Sequence, residues 1–180
     1  SGTLTGVTAG DDIIATYAST ATPITPAGVY GPATAEAIVP ALADPAGRLA
    51  NYTITSTNGT LTIDQAPLTI TAASRSKTYG DAVAFAGTEF TAQGLLNTDT
   101  VTAVTLTSAG TPANATVAGS PYAITPSAAV GTGLANYTIT YTDGALTVAP
   151  APLAVTAADA QRLYGAANPV FFGTLTGVTA

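Results

Sequence analysis

The sequence has no cysteine, histidine, methionine or tryptophan. Without cysteine, the chain cannot form disulfides, a thiolate nucleophile or a cysteine-based metal site. Without histidine, and with Lys77 as its only lysine, it offers no ordinary base to activate a serine or threonine hydroxyl. We therefore expect no catalytic residues and interpret the chain as a protein that is not an enzyme.

Charge is also scarce, because only 8% of the 180 residues are charged and the formal net charge is −6. The four basic residues are scattered at positions 48, 75, 77 and 162, so they cannot form a patch that binds nucleic-acid phosphates. No apolar run approaches the roughly 20 consecutive residues of a membrane-spanning helix. The sequence therefore predicts no nucleic-acid partner and no membrane insertion of these residues.

The feature that the sequence does contain is an internal repeat. Four blocks recur, in identical or closely similar form, at the offset of 85 residues that separates Leu68 from Leu153. The blocks are LTITA at 68–72, YG at 79–80, LANYTIT at 49–55 and GTLTI at 59–63. In addition, Gly2–Ala9 is identical to Gly173–Ala180, at an offset of 171 residues. This pattern indicates tandem duplication of one structural unit.

The repeats predict three units along the chain. Residues 1–67 form a repeat unit lacking its first strand, residues 68–151 a complete unit, and residues 152–180 the first part of a third unit. The first unit also carries about seven extra residues, which we place in a surface loop at 35–46. Because 153–180 contains the strand that 1–67 lacks, the sequence suggests head-to-tail assembly of copies by strand complementation.

Segments that alternate threonine with an apolar or aromatic residue predict β-strands. They are residues 53–56, 60–63, 68–71, 101–107, 138–141 and 145–148. Asn58-Gly59 and Asp143-Gly144 lie between two pairs of these strands and predict that each unit ends in a β-hairpin. Pro40 limits helix formation in residues 35–43 to a turn or two. The predicted fold class is all-β, in small modules that stack as a rod.

Positions that are equivalent in the two units predict the apolar core. They are Tyr52 and Tyr137, Leu61 and Leu146, and Ile63 and Val148. Tyr79 and Tyr164 are expected to pack at a turn and to form hydrogen bonds through their hydroxyls.

In order along a unit, the motifs are Leu-x-Ile/Val-Thr-Ala, Lys/Arg-x-Tyr-Gly and Asn-Tyr-Thr-Ile-Thr followed by Asn/Asp-Gly. This order resembles the MBG-type (YGX-type) tandem repeat of large bacterial adhesins and filamentous-haemagglutinin-like exoproteins. The resemblance implies a mostly-β, β-sandwich-like or β-grasp-like module, strung in tandem on an extracellular, cell-surface or filament protein of the kind found in biofilms, with no catalysis. The residues that carry it are Asn51, Tyr52, Tyr79, Gly80, Asn136, Tyr137, Tyr164 and Gly165.

The candidate metal site is Asp11 and Asp12, the only adjacent acidic pair. Carboxylates and nearby carbonyl groups are ligands for Ca²⁺, but the pair lacks the spaced acidic and amide residues of a calcium loop. The second unit has the single Asp99 at the corresponding position, which favours a turn cap over a metal site. Apart from Ca²⁺ at this pair, we expect no cofactor.

Three further motifs have alternative interpretations. Asn51 and Asn136 each begin an Asn-Tyr-Thr glycosylation sequon, although both also begin a predicted strand. Lys77 would suit an intramolecular isopeptide bond, but the equivalent Arg162 cannot form one. The threonine-rich strands also occur in ice-binding β-solenoids, whose shorter repeats do not fit an offset of 85 residues.

Two functions fit these observations. The first is a structural stalk or filament repeat whose partners are neighbouring repeats or identical copies joined head to tail. The alternative is an adhesin module that binds a host or matrix glycan through the 35–46 insertion. The absence of clustered aromatic or charged residues, which usually mark recognition surfaces, favours the first.

Overall fold

The computed structural model describes residues 2–177 and is all-β, as the sequence predicts. Residue 1 and residues 178–180, which fall in the predicted first and third units, lie outside the described residues. The strands are β1 Ile14–Ala18, β2 Gly28–Tyr30, β3 Val39–Ala43, β4 Leu61–Ile63, β5 Ala66–Ala72, β6 Arg75–Thr78, β7 Phe90–Gln93, β8 Thr100–Thr107, β9 Tyr122–Thr132, β10 Tyr137–Thr142, β11 Gly144–Ala149, β12 Ala154–Ala157 and β13 Gly173–Thr176. Three single 3₁₀ turns lie at Leu49–Asn51, Val117–Gly119 and Leu134–Asn136.

The described residues form two compact units. The first contains residues 2–68, 94–99 and 133–138, and the second contains residues 69–93, 100–132 and 139–177. This division groups residues by spatial contact and not by sequence repeat, so the three sequence units stay a prediction. In the first unit, β1 pairs with β3 and β2 pairs with β4, both antiparallel.

The complete repeat, residues 68–151, forms two sheets. One has the strand order β10-β5-β7, and the other has the order β6-β11-β9-β8. In β5, Leu68, Ile70 and Ala72 are buried and alternate with threonine, which is the period-two pattern of a strand with one face against the core. A buried cluster of Ala72, Ile124 and Leu146 forms the centre of the second compact unit.

The hairpin of β5 and β7 recurs in the third sequence unit. Thr69 lies opposite Gln93 and Ala72 opposite Phe90. In the later hairpin, Ala154 lies opposite Thr176 and Ala157 opposite Gly173. The first strand of the pair is therefore shifted by 85 residues and the second by 83, so that each position of β5 meets the same partner position again. The repeated sequence builds the same pairing twice.

The predicted terminal hairpins are wrong. In the complete repeat, β10 pairs with β5, whereas β11 pairs with β9 and, in parallel, with β6. Asp143-Gly144 thus lets the chain pass from one sheet to the other. Gly144 is needed because a Cβ atom there would lie 2.6 Å from the carbonyl oxygen of Ala72.

Two other expectations for the first repeat are also wrong. Residues 53–56 are not a strand, because a strand needs a hydrogen-bonded neighbour and none of the described strands pairs with them. Residues 35–46 are not a loop or helical turn throughout, since they contain β3. Pro40 lies opposite Tyr17 in a two-stranded pair, where a missing N–H is tolerated.

Candidate functional site

A groove of about 420 Å³ lies within the first compact unit. Residues 2–7 line one side and residues 52–57 line another, and Ile13, Tyr17 and Leu42 complete much of the apolar lining. No charged residue lines the groove. The residues on both sides are extended but belong to no described strand, so their backbone groups are available for pairing.

A tyrosine hydroxyl closes the turn beside this groove. Tyr52 donates a hydrogen bond to Asp11 Oδ2 at 2.5 Å and accepts one from the Thr8 N–H at 3.0 Å. This bond ties residues 41 positions apart, and it places the Asp11 carboxylate in a structural role. Asp12 is exposed and has a φ of 49°. Within residues 2–177, no three acidic side chains lie close enough together to hold a metal ion.

The complete repeat has the same arrangement. Tyr137 donates to Asp99 Oδ2 at 2.9 Å and accepts from the Leu96 N–H at 2.8 Å. Burial raises the pKa of Tyr137, and the neighbouring Asp99 carboxylate raises it further, so the hydroxyl stays protonated and able to donate. The sequence interpretation of Asp99 as a residue that stabilises a turn agrees with this geometry.

The two Tyr-Gly motifs both form turns. Gly80 and Gly165 have φ values of 98° and 83°, which favour glycine. Tyr79 is half-buried, and its N–H donates to the carbonyl of Ala149 at 2.9 Å. Tyr164 is fully exposed. Within residues 2–177 neither tyrosine hydroxyl has a hydrogen-bond partner, so the predicted hydroxyl bonds are wrong; the main chain holds these turns.

Lys77 and the two sequon asparagines have structural positions. Lys77 is buried and its Nζ donates to the backbone carbonyls of Asp81 at 3.0 Å and of Pro112. Asn136 Oδ1 accepts from the Ala27 N–H at 3.0 Å, whereas Asn51 is exposed at the end of its 3₁₀ turn. The lysine therefore supports the Tyr-Gly turn, and Asn136 joins two sequence repeats.

Residues 68–147 match the family model described as MBG domain (YGX type). The match begins at the first residue of β5 to be fully buried and includes the Tyr79-Gly80 turn and the Tyr137 hydrogen bonds. The middle repeat is an MBG domain of the YGX type. No curated protein and no solved structure matches the chain significantly.

A glycine that the sequence reasoning missed distinguishes the MBG domain from the first repeat. Gly94, which follows β7, has a φ of 106°, and a Cβ atom there would lie 2.4 Å from the carbonyl oxygen of Pro67. Gly177, which follows β13, has a φ of 90° and comes as close to the carbonyl oxygen of Pro152, at 2.1 Å. Gly6 ends the identical GTLTG segment with a φ of 84°, yet no atom lies within 4 Å of the corresponding position. Its repetition in GTLTG was the available signal.

Among the described residues, no helix is long and apolar enough to cross a membrane.

Proposed function

We propose that this chain is a structural stalk or filament repeat of a secreted or surface-anchored bacterial adhesin, and that it is not an enzyme. The observation that carries the proposal is the recurrence of one β-hairpin, in one register, in the MBG domain and in the repeat that follows it. Such a chain acts through the number and the continuity of its modules, because each repeat adds length without adding a new side-chain constellation.

Hydrogen bonds between residues of successive sequence repeats support this proposal. In the first compact unit, Ala27 of the first repeat donates to Asn136 of the MBG domain. Gln65 Nε2 donates to the carbonyl of Ala135 at 2.9 Å, and Thr138 Oγ1 donates to Gln65 Oε1 at 3.2 Å. These contacts, which join residues 70 to 109 positions apart, restrain the short connection between the repeats.

The partners in this proposal are identical copies joined head to tail. Residues 153–180 of one copy complement residues 1–67 of the next by strand addition, so that the array continues from copy to copy. The groove within the first compact unit and the exposed apolar residues of β12 support this arrangement.

The competing function is binding of a host or matrix glycan through residues 35–46. A glycan array screened with the full chain separates the two functions, with a chain that lacks residues 32–36 as the matched control. We expect no saturable binding by either chain. Saturable binding that is lost in the control would overturn the spacer function and favour the glycan-binding one.

A further inference from the structure

The MBG domain defines where the first strand of a repeat belongs. In its sheet, β5 is the central strand, and it lies between β7 and β10. Gln65, the residue just before β5, contacts Ala135 and Thr138 at the start of β10. A repeat of this family therefore places Leu-x-Ile/Val-Thr-Ala between two other strands, with both of its edges paired.

In the first repeat, the segments that correspond to the two outer strands flank the groove. Residues 52–57 correspond to the start of β10, and residues 2–6 correspond to the end of β7 and the following Gly94. The matching bonds of Tyr52 and Tyr137 confirm this correspondence, since both tyrosines bond to an aspartate and to a backbone N–H at equivalent positions. The groove thus occupies the position of β5.

Gly6 provides an independent indication of the same position. In both hairpins that include a first strand, the glycine after the second strand lies against the carbonyl oxygen of the proline that precedes the first strand's leucine. Gly6 keeps the positive φ of those glycines, although none of the described atoms lies close to its Cβ position. Its backbone is therefore already shaped for a strand that enters beside it.

The same chain carries a strand that fits. Leu153 and Val155 correspond to Leu68 and Ile70, which are 1% and 0% exposed in the MBG domain. In β12 and just before it, these side chains are 62% and 76% exposed. Residues 153–157 contain no charge and neither does the groove lining, so no charged group is desolvated when they meet.

We propose that the groove of one copy binds β12 of a second copy of this chain, between residues 2–5 and residues 52–57. Because residues 2–6 and 173–177 are identical, the known pairing of β12 with β13 sets the register. Thr156 then lies opposite Thr3, and Ala154 lies opposite Thr5. Residues 2–5 of the acceptor replace β13 of the donor with the same sequence, so that edge of β12 keeps equivalent hydrogen bonds.

The net stabilisation comes from the other edge and from burial. Docking adds pairing with residues 52–57, and it covers Leu153 and Val155 with the apolar lining of the groove. The proposal rests on the proposed structural function and names its partner, the contacting segment and the register.

Cysteine crosslinking in the cysteine-free chain tests the register. We mix Thr3→Cys chains with Thr156→Cys chains that carry a size tag, oxidise mildly, and quantify the mixed dimer by mass. Facing strand positions have Cα distances that suit a disulfide. The control mixes Thr3→Cys with Val155→Cys, whose side chain points to the other face of the strand. We expect about tenfold more mixed dimer for the first pair, given this geometric selectivity.

The doubly substituted chain, Thr3→Cys with Thr156→Cys, tests the choice of partner. A second copy as partner gives a ladder of crosslinked dimers, trimers and higher oligomers. A crosslinked monomer at low concentration would show that the strand comes from the same chain and would overturn the proposal. Equal, or absent, mixed dimer for the in-register and control pairs would overturn it as well.

A charge in β12 tests the contribution of the apolar side chains. Val155→Asp places a carboxylate in the groove upon docking, and Ala154→Asp is the matched control on the opposite face. Because Val155 is mostly exposed in the separate chain, both variants should fold normally. We expect Val155→Asp to weaken association at least about tenfold in sedimentation experiments, from the loss of a buried valine. Equal effects of the two variants would contradict the docking mode. Failure of these experiments with no glycan binding would leave the spacer function intact without this junction.

Discussion

The first repeat and the MBG domain share their motifs but differ in how deeply they bury them. In the MBG domain, Tyr137, Leu146 and Val148 are buried. The equivalent residues of the first repeat, Tyr52, Leu61 and Ile63, are only half-buried. Yet the tyrosine hydroxyl bonds are the same in both. Local hydrogen bonds thus form without the central strand, whereas burial of the apolar positions depends on it.

The largest effect that separates the two repeats should come from truncating their equivalent leucines. Leu146 is 0% exposed, so Leu146→Ala should cost about 2–5 kcal/mol of unfolding free energy in the MBG domain. Leu61→Ala should cost about 1 kcal/mol, because that side chain is half-buried. Native-state hydrogen exchange, followed separately for amides of each repeat, measures both values. Equal costs would mean that both cores are equally closed in solution.

The glycines Gly94 and Gly6 provide the next comparison. Gly94→Ala should cost about 2–4 kcal/mol, because it adds a collision with the carbonyl oxygen of Pro67 to the unfavourable positive φ. Gly6→Ala should cost about 1–2 kcal/mol from the backbone conformation alone.

The same exchange experiment measures the two glycine variants. Gly6→Ala should also reduce the mixed-dimer yield of the Thr3→Cys and Thr156→Cys chains, since the docked strand would bring the carbonyl oxygen of Pro152 against the new methyl group. An undiminished yield would argue against this contact.

Removal of the tyrosine hydroxyls should have a smaller effect. Tyr137→Phe leaves the Leu96 N–H and the Asp99 carboxylate without a partner in a buried setting, and should cost about 1–3 kcal/mol. Tyr52→Phe should cost about 0.5–1.5 kcal/mol, because water can reach the half-buried groups of the first repeat. Urea unfolding of both variants, compared with the original chain, measures the difference. A larger cost for Tyr52→Phe would reverse the comparison.

The smallest expected difference concerns acid. The Ala86 N–H, with neighbouring N–H groups, lowers the pKa of Glu89 in the MBG domain, and the Leu49 and Arg48 N–H groups lower the pKa of Asp44 in the first repeat. A lowered folded pKa stabilises the fold above the unfolded value and loses that effect as pH falls through the folded value. Each repeat should therefore weaken below about pH 4.5 and 3.8, respectively.

Glu89→Gln should flatten the acid dependence of the MBG domain only, and Asp44→Asn that of the first repeat only. Thermal unfolding between pH 2 and 6, in steps of about half a unit, records the slopes. A variant that flattens both slopes would show that the repeats unfold as one unit.

The sequence predicted the local features well. Alternation of threonine with apolar residues predicted β5, β8, β10 and β11 within two residues at each end. The matched positions also predicted the burial of Tyr137, Leu146 and Val148. These features depend on side-chain period and composition, which a sequence states directly.

The long-range pairing could not be predicted in the same way. Asp143-Gly144 signals a change of direction, but it does not show whether the next strand returns to its neighbour or crosses to another sheet. The parallel pairing of β11 with β6 joins residues about 70 positions apart and has no local signal. The groove was missed for a related reason: residues 53–56 have a strand pattern, and only their neighbours decide whether a strand forms.

The parallel pairing of β6 and β11 has a mechanical consequence. Leu146–Ala149 runs alongside Arg75–Thr78 in the same direction, and β11 is the last strand of its repeat. Tension along the chain draws these two strands past each other lengthwise, so the bonds between them stretch together and not one after another. We therefore expect the domain to withstand pulling along its own chain better than peeling from one side, which is the load that a tethered stalk in a flowing medium would experience.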